Sequence, residues 1–334
     1  MTMVALKSLE PLRLLAVRSR WRPAEIAFWS FVVASYFLFP GYLVLISQIL
    51  IAGLFALSLD LLLGYGGMPS LGHAAFFGLG AYTAGLLGQM GWGEPISGVL
   101  LSGAVVGAFG LLCSLFLSRL RTAAFLMVTL TLGLLLRELA NRWSGLTGGD
   151  DGLSDIALRP LFGVFRFDLS GNTAFWYSLG VVFIVFLLVR RLVHSPFGLA
   201  LEAMRENERR AAALGISPRL VVISVFTLSS AIAGIAGALL TQTTSFVALE
   251  VLSFERSAGV LIMLVLGGVG TLYGAFVGAA VYLVARDVLS ALDPVYWYFW
   301  LGLIIVMVVL FANDGLVGLL QRLQAWAVRR WEAA

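Results

Sequence analysis

Four ionisable side chains lie within or at the ends of long apolar runs, and they are the first candidates for chemistry in this chain. Asp60 and His73 flank a glycine-rich stretch, while Arg137 and Glu138 end another run. Placing such groups in a bilayer is costly, so each is a candidate for a functional role. Arg137 could instead extend to the membrane surface. His73 could orient a substrate or hydrogen-bond a neighbouring carbonyl, and the sequence leaves both roles open.

These residues form no recognisable catalytic or nucleotide-binding motif. A Walker A loop ends in Gly-Lys-Ser/Thr, and Lys7, the only lysine, lacks that context. The chain also contains no Gly-x-Ser-x-Gly and no His-Glu-x-x-His motif. Cys113, His73 and His194 are the only cysteine and histidines, which are too few for a zinc site of ordinary spacing. The sequence therefore predicts a protein that is not an enzyme and binds no metal or cofactor itself.

The sequence around these side chains is too apolar for an ordinary soluble protein. Of its 334 residues, 60% are hydrophobic and 12% are charged, and the mean hydropathy is +0.97. Soluble domains carry about 25% charged residues. Membrane lipid must therefore be part of the solvent, and a disordered chain is excluded. The net charge of +4 indicates cationic loops at a membrane surface rather than binding to nucleic acid.

Apolar runs that could cross a bilayer recur along the chain, since a helix needs about 20 residues to do so. They predict an all-α polytopic membrane protein with about ten transmembrane elements (8–10), some broken at glycine-rich points. The run 257–290 is too long for one helix, and Gly267, Gly268 and Gly270 divide it in two. The predicted elements are 24–40, 42–63, 70–90, 96–118, 120–140, 174–193, 221–245, 257–268, a span from Thr271 onward, and 296–312.

The distribution of positive charge predicts which side of the membrane each segment faces. Arginine and lysine concentrate in short cytoplasmic loops. Ten crossings place both termini and the segment 194–220 in the cytoplasm, and all three are basic. The predicted parts are therefore a basic N-terminal segment 1–23, a transmembrane domain 24–312 with an outer loop 141–173, and a cytoplasmic tail 313–334. The basic residues that support this orientation are Lys7, Arg13, Arg18, Arg20 and Arg22 near the N-terminus, Arg190, Arg191, Arg205, Arg209, Arg210 and Arg219 within 190–220, and Arg322, Arg329 and Arg330 near the C-terminus.

The glycine-rich stretch 63–83 joins two predicted spans and is the first candidate functional element. A helix broken at membrane depth is tolerated only where it is buried in protein or lines a cavity. The stretch is therefore a candidate wall of a translocation pathway, although its glycines could instead serve close helix packing, as could Gly103 with Gly107 and Gly274 with Gly278. The pathway candidates are Ser70, Gly72, His73, Ala74, Phe77 and Tyr82.

The cytoplasmic segment 194–220 is the second candidate. Residues 199–214 have the composition of a short surface helix, Gly215 can end it in a left-handed conformation, and Pro218 blocks its continuation. Charges of both signs recur at helical spacing, which is typical of a solvated, self-paired helix. The charge pattern alone leaves that role and the docking of a partner both open.

Three ordered blocks resemble the permease subunits of branched-chain amino-acid ABC importers, specifically the LivM branch. The resemblance covers roughly residues 42–312. The blocks are GYGGMPSLGHAAFFGLGAYTAGLL at 64–87, LTGGDDGL at 146–153, and a region from SPFGLALEAMRENERRAAALGI at 195–216 to VLGGVGTLYGAFVGA at 265–279.

The resemblance implies a permease without its own ATPase, located in the bacterial inner membrane. Such a subunit works beside a homologous second permease, two cytoplasmic ATPase subunits that bind ATP and magnesium, and a periplasmic substrate-binding protein. The segment 195–216 matches the family's coupling element. On that match the ATPase-coupling residues are Arg205, Glu206, Asn207, Glu208, Ala212 and Gly215.

Several functional details stay open at this point. The acidic residues Asp150, Asp151 and Asp155 of the outer loop could dock the binding protein or belong to an ordinary solvated loop. Met68-Pro69 departs from the family pattern, so the cargo is open between branched-chain or other amino acids, urea and amides. The alternative class is a secondary transporter or channel, which we expect to carry more paired ionisable residues at membrane depth.

Overall fold

The computed structural model of the chain describes residues 23–120, 122–168, 170–311 and 315–319. Within these residues the chain is helical, and strand-like pairing is confined to two isolated bridges, Leu153 with Val247 and Leu161 with Phe165. Lys7 and the arginines of 1–22 and 320–334 lie outside the described part of the chain.

A helix lies at each of the ten predicted positions, and the cytoplasmic and outer segments add three short ones. The helices are α1 (Pro23–Leu38), α2 (Leu43–Asp60), α3 (Ala74–Gln89), α4 (Pro95–Leu117), α5 (Thr122–Arg142), α6 (Ser144–Thr147), α7 (Asn172–Val193), α8 (Pro196–Glu206), α9 (Glu208–Ala213), α10 (Pro218–Thr244), α11 (Phe254–Gly267), α12 (Gly274–Leu292) and α13 (Trp297–Phe311). The division of 257–290 into two elements at its glycines is confirmed.

Six helical stretches are long and apolar enough to cross a bilayer. They are Pro40–Tyr65, Pro95–Leu117, Ala123–Arg142, Asn172–Val193, Pro218–Thr244 and Gly274–Leu292. Two shorter apolar helices, Glu25–Leu38 and Trp297–Val308, accompany them. The helices α3 and α11 have 16 and 14 residues, which is less than a full crossing requires. The all-helical, polytopic class is confirmed, and the count of ten crossings stays a prediction.

Two helices form the centre of the bundle. Helix α10 packs against α2, α3 and α4, and α2 packs in turn against α7, α11 and α12. From Leu50 to Asp60 nearly every residue of α2 is buried, because this helix is apolar on all sides and is enclosed by others. The outward surfaces of α1, α4, α5 and α13 carry many exposed large apolar side chains. Such surfaces fit contact with lipid or with another membrane chain.

Glycines let several of these helices approach at backbone distance. A Cβ added at Gly80 of α3 would overlap the carbonyl oxygen of Gly234 in α10. One at Gly103 of α4 would lie 2.9 Å from Cγ1 of Ile235 in α10. The close-packing role that the sequence allowed for these glycines is confirmed.

Polar contacts at the two ends of the bundle fix α1 against α7. Glu25 of α1 and Arg190 of α7 form a largely buried ion pair, with Oε2 and Nη2 3.0 Å apart. At the opposite ends of the same helices, the Tyr36 hydroxyl lies 3.2 Å from Oδ1 of Asn172. The two helices are therefore antiparallel, and we call the two ends of the bundle the Glu25 end and the Tyr36 end.

Glu94 caps α4 at the Tyr36 end. Its carboxylate accepts a 2.6 Å hydrogen bond from the backbone N of Ser97, and Pro95 occupies the first helical position. Hydrogen bonding to Ser97 holds the pKa of Glu94 below its ordinary value. The ionised carboxylate therefore stabilises the fold above the pKa of the unfolded chain, and this contribution is lost as the pH falls through the folded-state pKa.

We expect Glu94→Ala to lower the free energy of unfolding by about 1 kcal/mol at neutral pH, because a backbone donor of the first turn loses its acceptor. The difference from wild type should shrink as the pH falls below about 4, where the wild-type carboxylate is protonated. Thermal unfolding of the purified chain in detergent measures both effects. Asp150→Ala is the control, because Asp150 is exposed and caps no helix. A loss that is equal at every pH would contradict the role of the charge.

Candidate functional site at the glycine-rich break

The glycine-rich break lies at the Glu25 end of the bundle, where α2 ends. Helix α2 continues as a π-helical turn, Leu61–Tyr65, and the chain is then non-helical from 66 to 73. Gly67 has a φ of +69°, which favours glycine, and Pro69 also disfavours helix here. The predicted discontinuity is confirmed, although α3 begins at Ala74 rather than at residue 70.

Two ionisable side chains beside the break bind backbone groups of other segments. Arg205 of α8 donates from Nη1 to the carbonyl oxygen of Gly64. Asp60 accepts a 2.7 Å hydrogen bond at Oδ1 from the backbone N of Gly270, in the loop between α11 and α12. Arg205 also packs on Gly67, where a Cβ would lie 2.8 Å from its Cγ. We call these five residues the Arg205 junction.

Burial is the largest electrostatic influence on Asp60 in the Arg205 junction, and the hydrogen bond from Gly270 and the charge of Arg205 offset part of its cost. Asp60 is completely buried, and the positive charge of Arg205 acts on it. A buried carboxylate requires such partners, because its desolvation is costly. A displacement of α8 would therefore disturb the break and the α11–α12 loop together.

The predicted single helix 199–214 is wrong, because Asn207 divides it into α8 and α9. The backbone of Asn207 is extended, and its side chain accepts a 3.0 Å hydrogen bond from the backbone N of Arg210. Asparagine is a strong N-cap and starts a new helix at this point. Gly215 has a φ of +89°, as predicted for the end of this helical segment.

The segment is anchored by a few buried side chains and presents the predicted coupling residues to solvent. Leu201 of α8 and Ala211 of α9 are buried in the bundle surface. The six exposed coupling candidates are Arg205, Glu206, Asn207, Glu208, Ala212 and Gly215. Their role in docking an ATPase stays a prediction.

Four of the six pathway candidates, Ser70, Gly72, His73 and Ala74, are buried around the start of α3. His73 Nε2 lies 2.9 Å from Oγ of Ser58, and its ring stacks on Phe55 with centroids 5.6 Å apart. The backbone N of Ala74 donates to Oγ of Ser257 in α11, and a Cβ on Gly72 would overlap the carbonyl of Thr129. These contacts hold the start of α3 in place, and a direct contact with substrate stays a prediction.

The other two candidates, Phe77 and Tyr82, lie further along α3. Phe77 lines a cavity between helices, and the Tyr82 hydroxyl is buried with no hydrogen-bond partner among the described residues. Sequence analysis missed four charged residues around the same cavity. They are Glu250, Glu255, Arg256 and Arg286. Their position beside apolar runs is the signal that could have identified them.

The outer docking candidates lie at the Tyr36 end, away from the Arg205 junction. Asp150, Asp151 and Asp155 are exposed. Their loop pairs with the chain after α10 through two backbone hydrogen bonds between Leu153 and Val247, of 2.8 and 3.1 Å. The loop is therefore fixed over this end of the bundle, and its docking role stays a prediction.

The helical bundle with its broken central helix defines a multi-pass α-helical membrane protein. Residues 41–310 match a protein family described as the branched-chain amino acid transport system permease component. The chain belongs to this family, in its LivM branch.

Two named relatives are LivM proteins, and a more distant one carries a different name. LivM of Escherichia coli, a high-affinity branched-chain amino acid transport system permease protein, is 31% identical over 287 residues, which are 78% of this chain and 66% of that protein. LivM of Salmonella typhimurium is 30% identical over 313 residues, 86% of this chain and 72% of that protein. The autoinducer 2 import system permease protein LsrC of Salmonella choleraesuis is 27% identical over 246 residues, 70% and 67% of the two chains. No solved structure matches this chain.

Proposed function

We propose that this chain is a transmembrane permease subunit of an ATP-driven ABC importer for branched-chain amino acids in the bacterial inner membrane. Membership of the family and the names of the LivM relatives support this cargo. The observation that carries the mechanism is the hydrogen bond from Arg205 to Gly64, because it joins the predicted ATPase-docking segment to the broken helix. The chemistry of ATP and magnesium takes place on partner subunits.

The proposed assembly contains a homologous second permease, two cytoplasmic ATPase subunits and a periplasmic binding protein. In it this chain has a cytoplasmic segment 1–23, a permease domain 24–312 of ten elements and a cytoplasmic tail 313–334. The Glu25 end faces the cytoplasm. Two observations support this orientation: the coupling segment and the Arg205 junction lie at the Glu25 end, and the loop 141–173 lies at the Tyr36 end.

Alternating access is the mechanism that this geometry supports. ATP binding and hydrolysis in the partners move α8, and Arg205 transmits the movement to the carbonyl of Gly64. The Asp60–Gly270 hydrogen bond passes it to the loop between α11 and α12. Since Ala74 of α3 is bonded to Ser257 of α11, both helices beside the cavity move with the junction.

Reconstitution of the complex in proteoliposomes tests the proposed function. We expect uptake of tritiated leucine that requires ATP, magnesium and the binding protein, and that stops when the partner ATPases carry an inactivating substitution. Leucine uptake by this chain without ATPase subunits would overturn the proposal in favour of a secondary transporter. ATP-dependent uptake of urea or an amide in place of leucine would correct the cargo alone.

A further inference from the structure

A cavity of about 580 Å³ lies between α2, α3, α11, α12 and α13. Sites for small molecules have volumes of about 300–1,000 Å³, so this cavity is large enough for a free amino acid. One wall is apolar and includes Ile51, Phe55, Phe77, Leu240 and Met263. The C-terminal end of α11 leads to Gly270 of the Arg205 junction, which lies at the Glu25 end of the bundle. The cavity is lined by the preceding part of α11 and therefore lies nearer the Tyr36 end.

Charged side chains of both signs line the same cavity. The acidic pair is Glu250 and Glu255, and the basic pair is Arg256 and Arg286. Within the described part of the chain, none of the four forms an ion pair or a side-chain hydrogen bond. Arg256 is half-buried, and its Cζ lies 5.8 Å from the centroid of the Phe77 ring.

The arrangement of these charges indicates the ligand that would satisfy them. Burial acts most strongly on Arg256, which is also subject to the opposite charge of Glu250 and the like charge of Arg286. Arg256 and Arg286 are half-buried, so their charges are costly unless they are paired, whereas Glu250 and Glu255 are exposed. An anionic group near the arginines would relieve this cost, and a cationic group would complement the negative charge of the two carboxylates. A phosphate alone leaves the acidic pair unmatched, and a polyamine leaves the arginines unmatched.

We propose that this cavity binds an aliphatic α-amino acid as the zwitterion. The carboxylate lies at Arg256 and Arg286, and the ammonium group lies at Glu250 and Glu255. The aliphatic side chain packs on the apolar wall beside Phe77. The inference rests on the proposed function, because it requires that this chain meets free amino acids, and it adds a substrate site within the permease itself.

The cavity is connected to the start of α3 through aromatic contacts. The ring centroids of Phe55 and Phe77 are 4.4 Å apart, and Phe55 stacks on His73. Nε2 of His73 lies 2.9 Å from Oγ of Ser58, which belongs to the last turn of α2 before the break. A ligand in the cavity therefore contacts residues that move with the Arg205 junction, which gives substrate a structural route to influence the coupling segment.

Equilibrium binding of tritiated leucine to the complete complex in nanodiscs, without the binding protein, tests the site. The competitors are isocaproate, which lacks the ammonium group, and isoamylamine, which lacks the carboxylate. We expect leucine to bind and both analogues to compete about ten- to a hundredfold more weakly, because each loses its hydrogen bonds to charged groups.

Two variants give reciprocal results that misfolding cannot produce. Arg256→Gln should weaken leucine and isocaproate about ten- to a hundredfold and leave isoamylamine unchanged. Glu255→Gln should weaken leucine and isoamylamine and leave isocaproate unchanged. Arg256→Lys should retain most of the affinity. Arg166→Gln is the matched control, because Arg166 is exposed in the loop 141–173, and it should leave leucine binding unchanged.

Two results would overturn this site without affecting the proposed function. The first is a complex that imports leucine with ATP and the binding protein but binds none in the nanodisc assay. The second is leucine binding that Arg256→Gln and Glu255→Gln both leave unchanged. Loss of leucine uptake and of leucine binding in the wild-type complex would count against the site and the proposed function together.

Discussion

Arg205→Glu is expected to lower substrate-stimulated ATP hydrolysis by the assembled transporter about tenfold or more while this chain stays folded in the membrane. The new carboxylate cannot donate to the carbonyl of Gly64, and it is repelled by that oxygen. A hydrogen bond from a charged donor contributes about 1.5–3 kcal/mol, so the stimulated component should fall about tenfold or more towards the basal rate. ATPase assays on the purified complex, with and without loaded binding protein, measure the effect.

Arg209→Glu is the matched control, since it makes the same charge change on the same segment. Arg209 is exposed on α9, beyond the bend at Asn207. Reversing the charges of Arg205 and Glu206 together should also remove stimulation, and Arg205→Lys should keep part of it. Equal losses in the Arg205 and Arg209 variants would show that general charge, rather than contact with the break, serves docking. Full stimulation in the Arg205→Glu, Glu206→Arg variant would remove the coupling assignment.

Gly80→Ala is expected to destabilise the bundle by about 3 kcal/mol, at the upper end of the usual cost of overpacking. The added methyl group overlaps the carbonyl oxygen of Gly234, and backbone cannot move aside as a flexible side chain does. The contact lies between α3 and α10, at the centre of the bundle. Thermal unfolding of the purified chain in detergent measures the loss, and a lower yield from membranes should accompany it.

Gly180→Ala is the control for this substitution. Gly180 is an exposed glycine inside α7, and a Cβ there meets no atom within 4 Å. The variant should unfold at the wild-type temperature or slightly above it, since alanine favours helix more than glycine does. Indistinguishable unfolding temperatures for the Gly80 and Gly180 variants would contradict the close-packing explanation.

The local pattern of the sequence predicts the helices and their breaks well. Glycine clusters locate the discontinuity after α2 and the turn between α11 and α12, because glycine permits backbone conformations that other residues avoid. The bend at Asn207 was not predicted. The residues around Asn207 favour helix, so the pattern predicted one continuous helix although asparagine prefers the N-cap position. The start of α3 was predicted four residues early for a similar reason, since a hydrophobic run does not show where Pro69 and the glycines interrupt the helix.

The candidate site depends on contacts that no local pattern contains. Arg205 and Gly64 are 141 residues apart in the chain, and Asp60 and Gly270 are 210 apart. The sequence around Arg205 is typical of a charged surface helix, and the sequence around Gly270 is typical of a glycine turn. Neither pattern predicts a contact with the end of α2, because that contact depends on how the helices of the bundle pack. The cavity is a similar case. Its charged residues come from the turn Leu249–Leu252, from α11 and from α12, and they line one cavity only in the folded bundle.

The hydrogen bond between Asp60 and Gly270 also imposes an order on biosynthesis. Asp60 is synthesised 210 residues before Gly270, so α2 is made before the backbone group that donates a hydrogen bond to its carboxylate. A chain that stops before the α11–α12 loop would lack this hydrogen bond to Asp60. The last third of the polypeptide thus completes the hydrogen bonding of the first.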